Sequence, residues 1–308
     1  MNPHGSPAPG STPASAAPAA ARYRPPSDVP FLLCMSVIGG AYVLLIVLLL
    51  LGDTFYTTWG VIGHSLADPA IRYSIKLSLV SCTITAVLSV IVAVPIGYLL
   101  SRHLAPGGGG WRRGIDWSRP HRALFTIFGG LVDTILDIPI VLPPLVIGLS
   151  LLILFRFAPF RWIDHYVTYE VPAVVLAQFM VACAFAVRTM RVTFDQISTR
   201  REQVALTLGC SRGQAFRLVV LPETRQGILA AATLSWARAL GEFGPILVFA
   251  GATRMRTEVL STTVFLELSI GRLEGAVAVS LIMVAAALVV LLLMRLFGLR
   301  DTFMRSPI

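Results

Sequence analysis

The chain has one lysine, four cysteines and five histidines in 308 residues, and each shortage removes a kind of chemistry. A phosphate-cradling loop of the form G-x-x-x-x-G-K-[ST] needs a lysine behind clustered glycines. The only lysine, Lys76, sits in RYSIK without them, and the glycine run Gly107 to Gly110 leads into Trp111, so the run reads as a flexible linker. ATP hydrolysis, where the protein depends on it, has to come from another chain. Cys34, Cys82, Cys183 and Cys210 have no paired spacing, and three fall in apolar segments, so neither a disulfide framework nor a zinc site is indicated. His4, His64, His103, His121 and His165 all lie outside those segments, so an intramembrane histidine hydrolase or buried histidine metal centre lacks its residues. The expectation is no catalytic residue and no metal.

Charge is scarce as well. Only 13% of residues are charged against 56% hydrophobic, and the apolar residues gather in long uncharged blocks, the mark of an integral membrane protein. A hydrocarbon core about 30 Å thick needs roughly 20 apolar residues in a helix. Val29 to Gly52, Leu77 to Ser101, Ile138 to Phe155 and Gly275 to Met294 meet that demand without a charge. Val171 to Val187 and Gln226 to Ala252 are shorter or carry charges, but omitting either would strand an apolar segment in water. The predicted fold is all-α, a polytopic membrane protein of about six transmembrane helices. The first block is longer than the apolar core of a signal peptide, about 7 to 15 residues, and is read as an uncleaved helix, 29–52. Residues 1–28 are so rich in Pro, Ala, Gly and Ser that they are expected to be a disordered tail.

A net charge of +9 invites a nucleic-acid reading, so its distribution has to decide. Of 25 Lys and Arg, 17 fall before the first block, in 102–122, in 188–225 or after Met294, and 7 fall in the intervening loops. That asymmetry is a topology signal, placing both termini and the 188–225 loop in the cytoplasm, with anionic lipid as the ordinary partner and no nucleic acid.

That loop holds EQVALTLGCSRGQAFRLVVLP, Glu202 to Pro222. Thr199 with Glu202 fits a capping box, Val204, Ala205 and Leu208 share a face, and Gly209 suits a helix C-cap. Ser211 with Gln214 repeats the start signal, and Pro222 disfavours continuation past Leu221. The predicted unit is helix, glycine turn, helix, stop. Tethered to the membrane at both ends, it could hardly enter a DNA groove as a helix-turn-helix does. A linker lying on the lipid surface and a docking element for a soluble partner both fit the pattern.

The same residues resemble the cytoplasmic signature of the membrane subunits of binding-protein-dependent ABC importers. There Glu-Ala-Ala is followed after three residues by Gly, and nine residues later by Ile-x-Leu-Pro. Gln203, Val204 and Ala205 stand at the Glu-Ala-Ala positions, Gly209 at the glycine, and Val219, Leu221 and Pro222 at the end. The carboxylate is displaced by one residue to Glu202, which either docks or only caps its helix. ARALGEFGPILVFAGA, and LPPLVIG at Leu142 to Gly148, are similar to the molybdate, tungstate and sulfate branch of these permeases.

The resemblance implies a type I ABC importer fold with a permease core at 72–297, the coupling loop 188–225 within it and a cytoplasmic tail at 298–308. It implies a prokaryotic plasma membrane location and a second permease copy, most simply a homodimer. An ATPase subunit dimer, itself binding ATP and Mg, would receive the coupling loop in a groove, and an extracytoplasmic solute-binding protein would deliver the solute. Glu202, Gln203, Val204, Ala205, Gly209, Leu221 and Pro222 would form the ATPase-coupling set. The solute would be an oxyanion, molybdate or tungstate ahead of sulfate. A stand-alone channel or secondary carrier is the alternative, although no inverted pair of similar halves supports it.

Arg238 lies near the middle of the fifth segment with Glu242 one turn on, and an unpaired arginine there costs roughly 3 kcal/mol. Either the two line an anion path or they form an internal ion pair that holds helices in register. Pro143 and Pro144 bend the third segment, as a gate or as a packing kink. Asp133 and Asp137 read as interfacial helix residues or as ion ligands.

Overall fold

The computed structural model describes residues 28–104 and 120–303. The tail expectation for 1–28 and the linker at Gly107 to Gly110 therefore lie outside the described residues, Asp28 apart, as do 304–308 of the predicted cytoplasmic tail, whose first part, 298–303, continues the last helix. The chain divides into two units, Met1–Leu49 and Leu50–Ile308. Helix α1, Val29–Tyr56, carries the chain from the first into the second, and none of its residues is buried.

The second unit continues with α2 (Trp59–Ala67) and α3 (Pro69–Leu99), which ends in a π turn at Leu100–Leu104. Asp68 caps α3 by accepting from the Ala70 amide at 2.8 Å. Then come α4 (Pro120–Val141), α5 (Pro144–Leu154), the single turn α6 (Asp164–Val167) and α7 (Val171–Gln196). The short α8 (Thr199–Thr207), α9 (Arg212–Ala215) and α10 (Leu221–Glu223) lead into α11 (Arg225–Leu240) and α12 (Gly244–Phe249). α13 (Leu260–Ser269) and α14 (Leu273–Phe303) complete the chain. Among the described residues there is no strand.

Helices α3, α7 and α11 pack against one another as the central trio, with α14 against α11 and α13, and α5 against α12. Their contact faces are made of small residues. α3 buries Ser74, Ser78, Ser81, Ala86, Ser89 and Ala93, and α7 buries Ala173, Ala177, Ala182 and Ala186, so the backbones approach closely where no hydrophobic force drives helices together in lipid. The buried polar groups are served across helices: Thr85 donates to Gln178 at 3.2 Å, and Trp236 Nε1 to Thr83 at 3.3 Å. Along α7 the core runs through three layers, from Val174 with Phe249, through Ala182 with Trp236, to Met190 with Phe194 and Val220.

Among the described residues, four helices are long and apolar enough to cross a membrane: Val29–Tyr56, Pro69–Arg102, Val171–Gln196 and Leu273–Leu296. The segment predicted as Ile138 to Phe155 is not one kinked helix. Gly129–Val141 and Pro144–Leu154 meet at 111°, because the extended Pro143 (ψ 132°) separates α4 from a helix that starts on Pro144. The predicted segment Gln226 to Ala252 is likewise broken, at residues 241–243, with Pro245 in the first turn of α12. α7 runs nine residues past its predicted end at Val187, carrying Arg188 and Arg191 out to Gln196.

Candidate coupling and membrane sites

The unit between α7 and α11 is built from local capping. Ser198, not Thr199, is the N-cap of α8, its hydroxyl accepting from the Arg200 amide at 3.4 Å. The expected Thr199–Glu202 capping box does not form, because Glu202 is engaged elsewhere. Gly209 has φ +91°, the left-handed conformation that lets α8 stop without strain, and the Cys210 amide donates back to Ala205 O at 3.1 Å. The second capping box forms as read: Gln214 N donates to Ser211 Oγ at 3.3 Å and Ser211 N to Gln214 Oε1 at 2.8 Å. Pro222 does not stop the second helix. Residues 216–220 widen into a π turn, with the Leu221 amide donating to Phe216 O, and the chain stays helical to Glu223. The wider turn relieves the clash that a proline ring makes with the carbonyl four residues back.

The apolar side chains of this unit point two ways. Ala205 and Val220 are buried, and the Phe216 ring packs edge-on against Tyr98 at 4.8 Å. Val204 (57% exposed), Leu208 (80%) and Leu218 (69%) face outward, so the face expected to hold Val204, Ala205 and Leu208 together is split. Gln203 is exposed beside Val204, and Leu221 and Pro222 are half-buried. Glu202 accepts a short hydrogen bond from the Tyr98 hydroxyl, and its other oxygen lies 3.5 Å from Arg102 Nε. Arg201 pairs with Glu223, tying α8 to α10.

Deeper in the bundle, Arg238 and Glu242 form an ion pair at 2.7 Å. Glu242 is 1% exposed, while Arg238 is about a third exposed and its guanidinium stands 5.7 Å from the centroid of the Phe185 ring. The Ser261 hydroxyl donates to the Glu242 carbonyl at 2.6 Å, serving the backbone where α11 breaks. The two proline-containing breaks lie against each other. A Cβ on Gly148 would stand 2.8 Å from Pro245 Cα, and one on Gly244 3.1 Å from Leu145 N and 3.3 Å from Pro144 Cβ. LPPLVIG and GEFGP, far apart in sequence, thus form one packed junction. Asp137 pairs with Arg188 at 2.6 Å and Asp133 with Arg191, which fixes α4 on α7. Among the described residues no group of three His, Cys, Asp or Glu side chains is placed to hold a metal ion.

Sequence reasoning missed Tyr98 and Arg102, and missed the buried carboxylates Glu258, in the loop before α13, and Glu267, on α13. Glu267 is buried and meets Arg254 at 2.9 Å, and Glu258 is 1% exposed. Only the charge of these carboxylates beside an apolar run marked them out.

Among the described residues, four long apolar helices, two spans broken beside prolines, and a capped helix–turn–helix between α7 and α11 define a polytopic membrane protein. The chain belongs to the family described as binding-protein-dependent transport system inner membrane component, whose model matches residues 122–300. It is 29% identical over 239 residues to the sulfate transport system permease protein CysT of Escherichia coli (strain K12), covering 76% of this chain and 79% of that one. It is 32% identical over 186 residues to the molybdate/tungstate transport system permease protein WtpB of Thermococcus kodakarensis, covering 60% and 64%. Its fold is similar to that of a bacterial ABC transporter involved in import of the acidic polysaccharide alginate, with TM-score 0.60 at 16% identity over 89% of this chain and 96% of that one.

Proposed function

We propose that the chain forms the path of an ATP-driven importer for a tetrahedral oxyanion, the class to which molybdate, tungstate and sulfate belong. The observation that carries this reading is the split face of the 198–224 unit. Phe216 and Val220 anchor it to the bundle, while Gln203, Val204, Leu208 and Leu218 are left outward on a rigid, capped scaffold. Outward apolar side chains on a short helix suit the groove of a soluble partner. In this reading the partner is a separate ATPase dimer that binds ATP and Mg, and the 198–224 unit and both termini are cytoplasmic. A second copy of the chain completes the path, and a binding protein supplies the anion from the other side. Arg238 offers positive charge to the passing anion while Glu242 holds it in place. Relatives that carry sulfate and molybdate/tungstate in their names support the oxyanion class.

The test is vanadate-sensitive ATP hydrolysis in liposomes containing this chain and the ATPase encoded beside its gene, with and without the binding protein loaded with molybdate, tungstate or sulfate. Stimulation by the loaded binding protein is expected, and the most effective anion identifies the substrate. Solute flux through the chain alone, driven by an ion gradient, would replace the importer with a carrier.

A further inference from the structure

The cytoplasmic signature that this chain resembles has its acid first in the motif, where Gln203 stands here, and the position of Glu202 gives the displacement a consequence. Glu202 is turned inward. Tyr98 at the end of α3 donates its hydroxyl to one carboxylate oxygen, and Arg102 in the following π turn lies 3.5 Å from the other. The Arg102 and Glu202 side chains are 8% and 13% exposed, so the pair is shielded from the solvent that makes surface ion pairs weak. The end of α3 and its π turn also hold chain on either side of α8. Arg102 Nη2 donates to Ile197 O at 3.0 Å, just before the helix, and Ser101 donates to Asp195 at 2.6 Å. The Tyr98 ring packs edge-on against Phe194 of α7 at 5.6 Å and against Phe216 at 4.8 Å. One turn of α3 therefore holds the end of α7, the first helix of the unit and the second.

We infer that Glu202, clamped by Tyr98 and Arg102, is a positioning residue that fixes α8 to α3, so that displacement of α8 is passed into the membrane helices, and that it lies outside the surface the partner touches. The contact surface is then the uncharged one made by Gln203, Val204 and Leu208. A lever transmits only if its joint is stiffer than the load it moves, and a shielded charge-assisted bond backed by two aromatic contacts supplies that stiffness where an exposed carboxylate would not. The inference rests on the importer reading for its load, but the joint itself is a property of this chain.

The experiment uses the full chain in lipid nanodiscs, alone and assembled with its ATPase, as wild type, Glu202→Gln, Tyr98→Phe and the outward-face control Val204→Asp. In the chain alone, amide hydrogen exchange across 199–207 is expected to quicken about tenfold in Glu202→Gln and in Tyr98→Phe, the scale of losing one hydrogen bond to a charged group, and to stay at the wild-type rate in Val204→Asp. In the assembled transporter, Glu202→Gln and Tyr98→Phe should retain the ATPase and its hydrolysis, but move at least about fivefold less anion per ATP, whereas Val204→Asp should lose the ATPase. Unchanged exchange in both clamp variants overturns the inference, as does loss of ATPase retention in Glu202→Gln to the extent seen in Val204→Asp. A wild-type chain that never retains an ATPase overturns the importer reading instead, and the exchange rates still decide the joint.

Discussion

Two regions of the chain interrupt their helices with glycine and proline, and they close the interruption differently. In the 198–224 unit the turn is made at Gly209 with positive φ, and the freed backbone groups are met by the unit's own side chains, Ser198, Ser211 and Gln214. In the apolar bundle the breaks at 142–143 and 241–243 contain no left-handed residue. Each puts a proline in the first turn of the next helix, and the two breaks are pressed together through Gly148, Gly244 and Pro245. An exposed turn can be solved locally, residue by residue. A turn among apolar helices has to be closed by tertiary packing and by a donor from elsewhere, here Ser261. The first region therefore closes its turn with its own residues and is joined to the bundle through Tyr98 and Arg102, and the second is a junction whose geometry depends on both of its halves.

The largest effect should come from spoiling the outward face of the self-contained region. Val204→Asp with Leu208→Asp places charge where a partner groove needs apolar contact, and each change should weaken retention of the ATPase on the order of tenfold or more in co-purification, the scale of a central interface residue. Both side chains are exposed, so the melting temperature should stay within a degree or so of the wild type. Retention of the ATPase by the double variant would move the docking surface elsewhere.

In the junction region, Arg238→Gln leaves the fully buried Glu242 without its cation, at a cost of about 3–5 kcal/mol. Folded yield in detergent should fall sharply and recover in Arg238→Gln/Glu242→Gln. Anion uptake should not recover with it, because the positive charge is still missing. Recovery of both would make the pair a structural pin only. Gly148→Ala comes next: its Cβ meets Pro245 backbone at 2.8 Å, an overpacking of about 1–3 kcal/mol, read as a lower melting temperature. Gly213→Ala in α9 meets nothing within 4 Å and should be neutral or slightly stabilising. Equal losses at the two glycines would erase the contrast between the regions.

What was legible in the sequence follows the same division. The long spans could be read because an uncharged run of sufficient length has no other home, and the 198–224 unit because its caps and glycine are local. The breaks were visible only as prolines and glycines. Their extent was not, since a 111° turn at Leu142 and Pro143 depends on α5 finding α12 across a hundred residues. α7 was cut short at Val187 because Arg188 and Arg191 look like an exit from the membrane, and only their pairing with Asp137 and Asp133 shows that the helix continues. The partners of Glu202 were hidden for the same reason: Tyr98 is 104 residues away, and no periodicity links them.

The smallest expected effect probes a third interruption, residues 250–259 between α12 and α13. Its tip at 253–256 is exposed but 257–259 are buried, and there Glu258 Oε2 has no hydrogen-bond partner among the described residues, whereas the buried Glu242 of the junction is paired with Arg238. Burial pushes the Glu258 carboxyl above its ordinary value of 4.5, against the pull of a hydrogen bond from Thr263 and the nearby Arg254 charge, while Glu267 and Asp68 push the same way as burial. Where the pH is below 4.5, folded and unfolded chains both hold the proton and Glu258 contributes nothing to pH dependence. As the pH rises through that value the unfolded chain ionises while the folded one resists, so stability falls until the pH passes the raised folded value. Glu258→Gln removes the ionisation and should raise the melting temperature at pH 7.5 by the equivalent of about 1 kcal/mol, with no gain at pH 4. A gain of equal size at both pH values would mean that shape, not charge, sets the cost of this loop. A loss at pH 7.5 would mean that the ionised carboxylate is held by a partner it meets only in the folded chain.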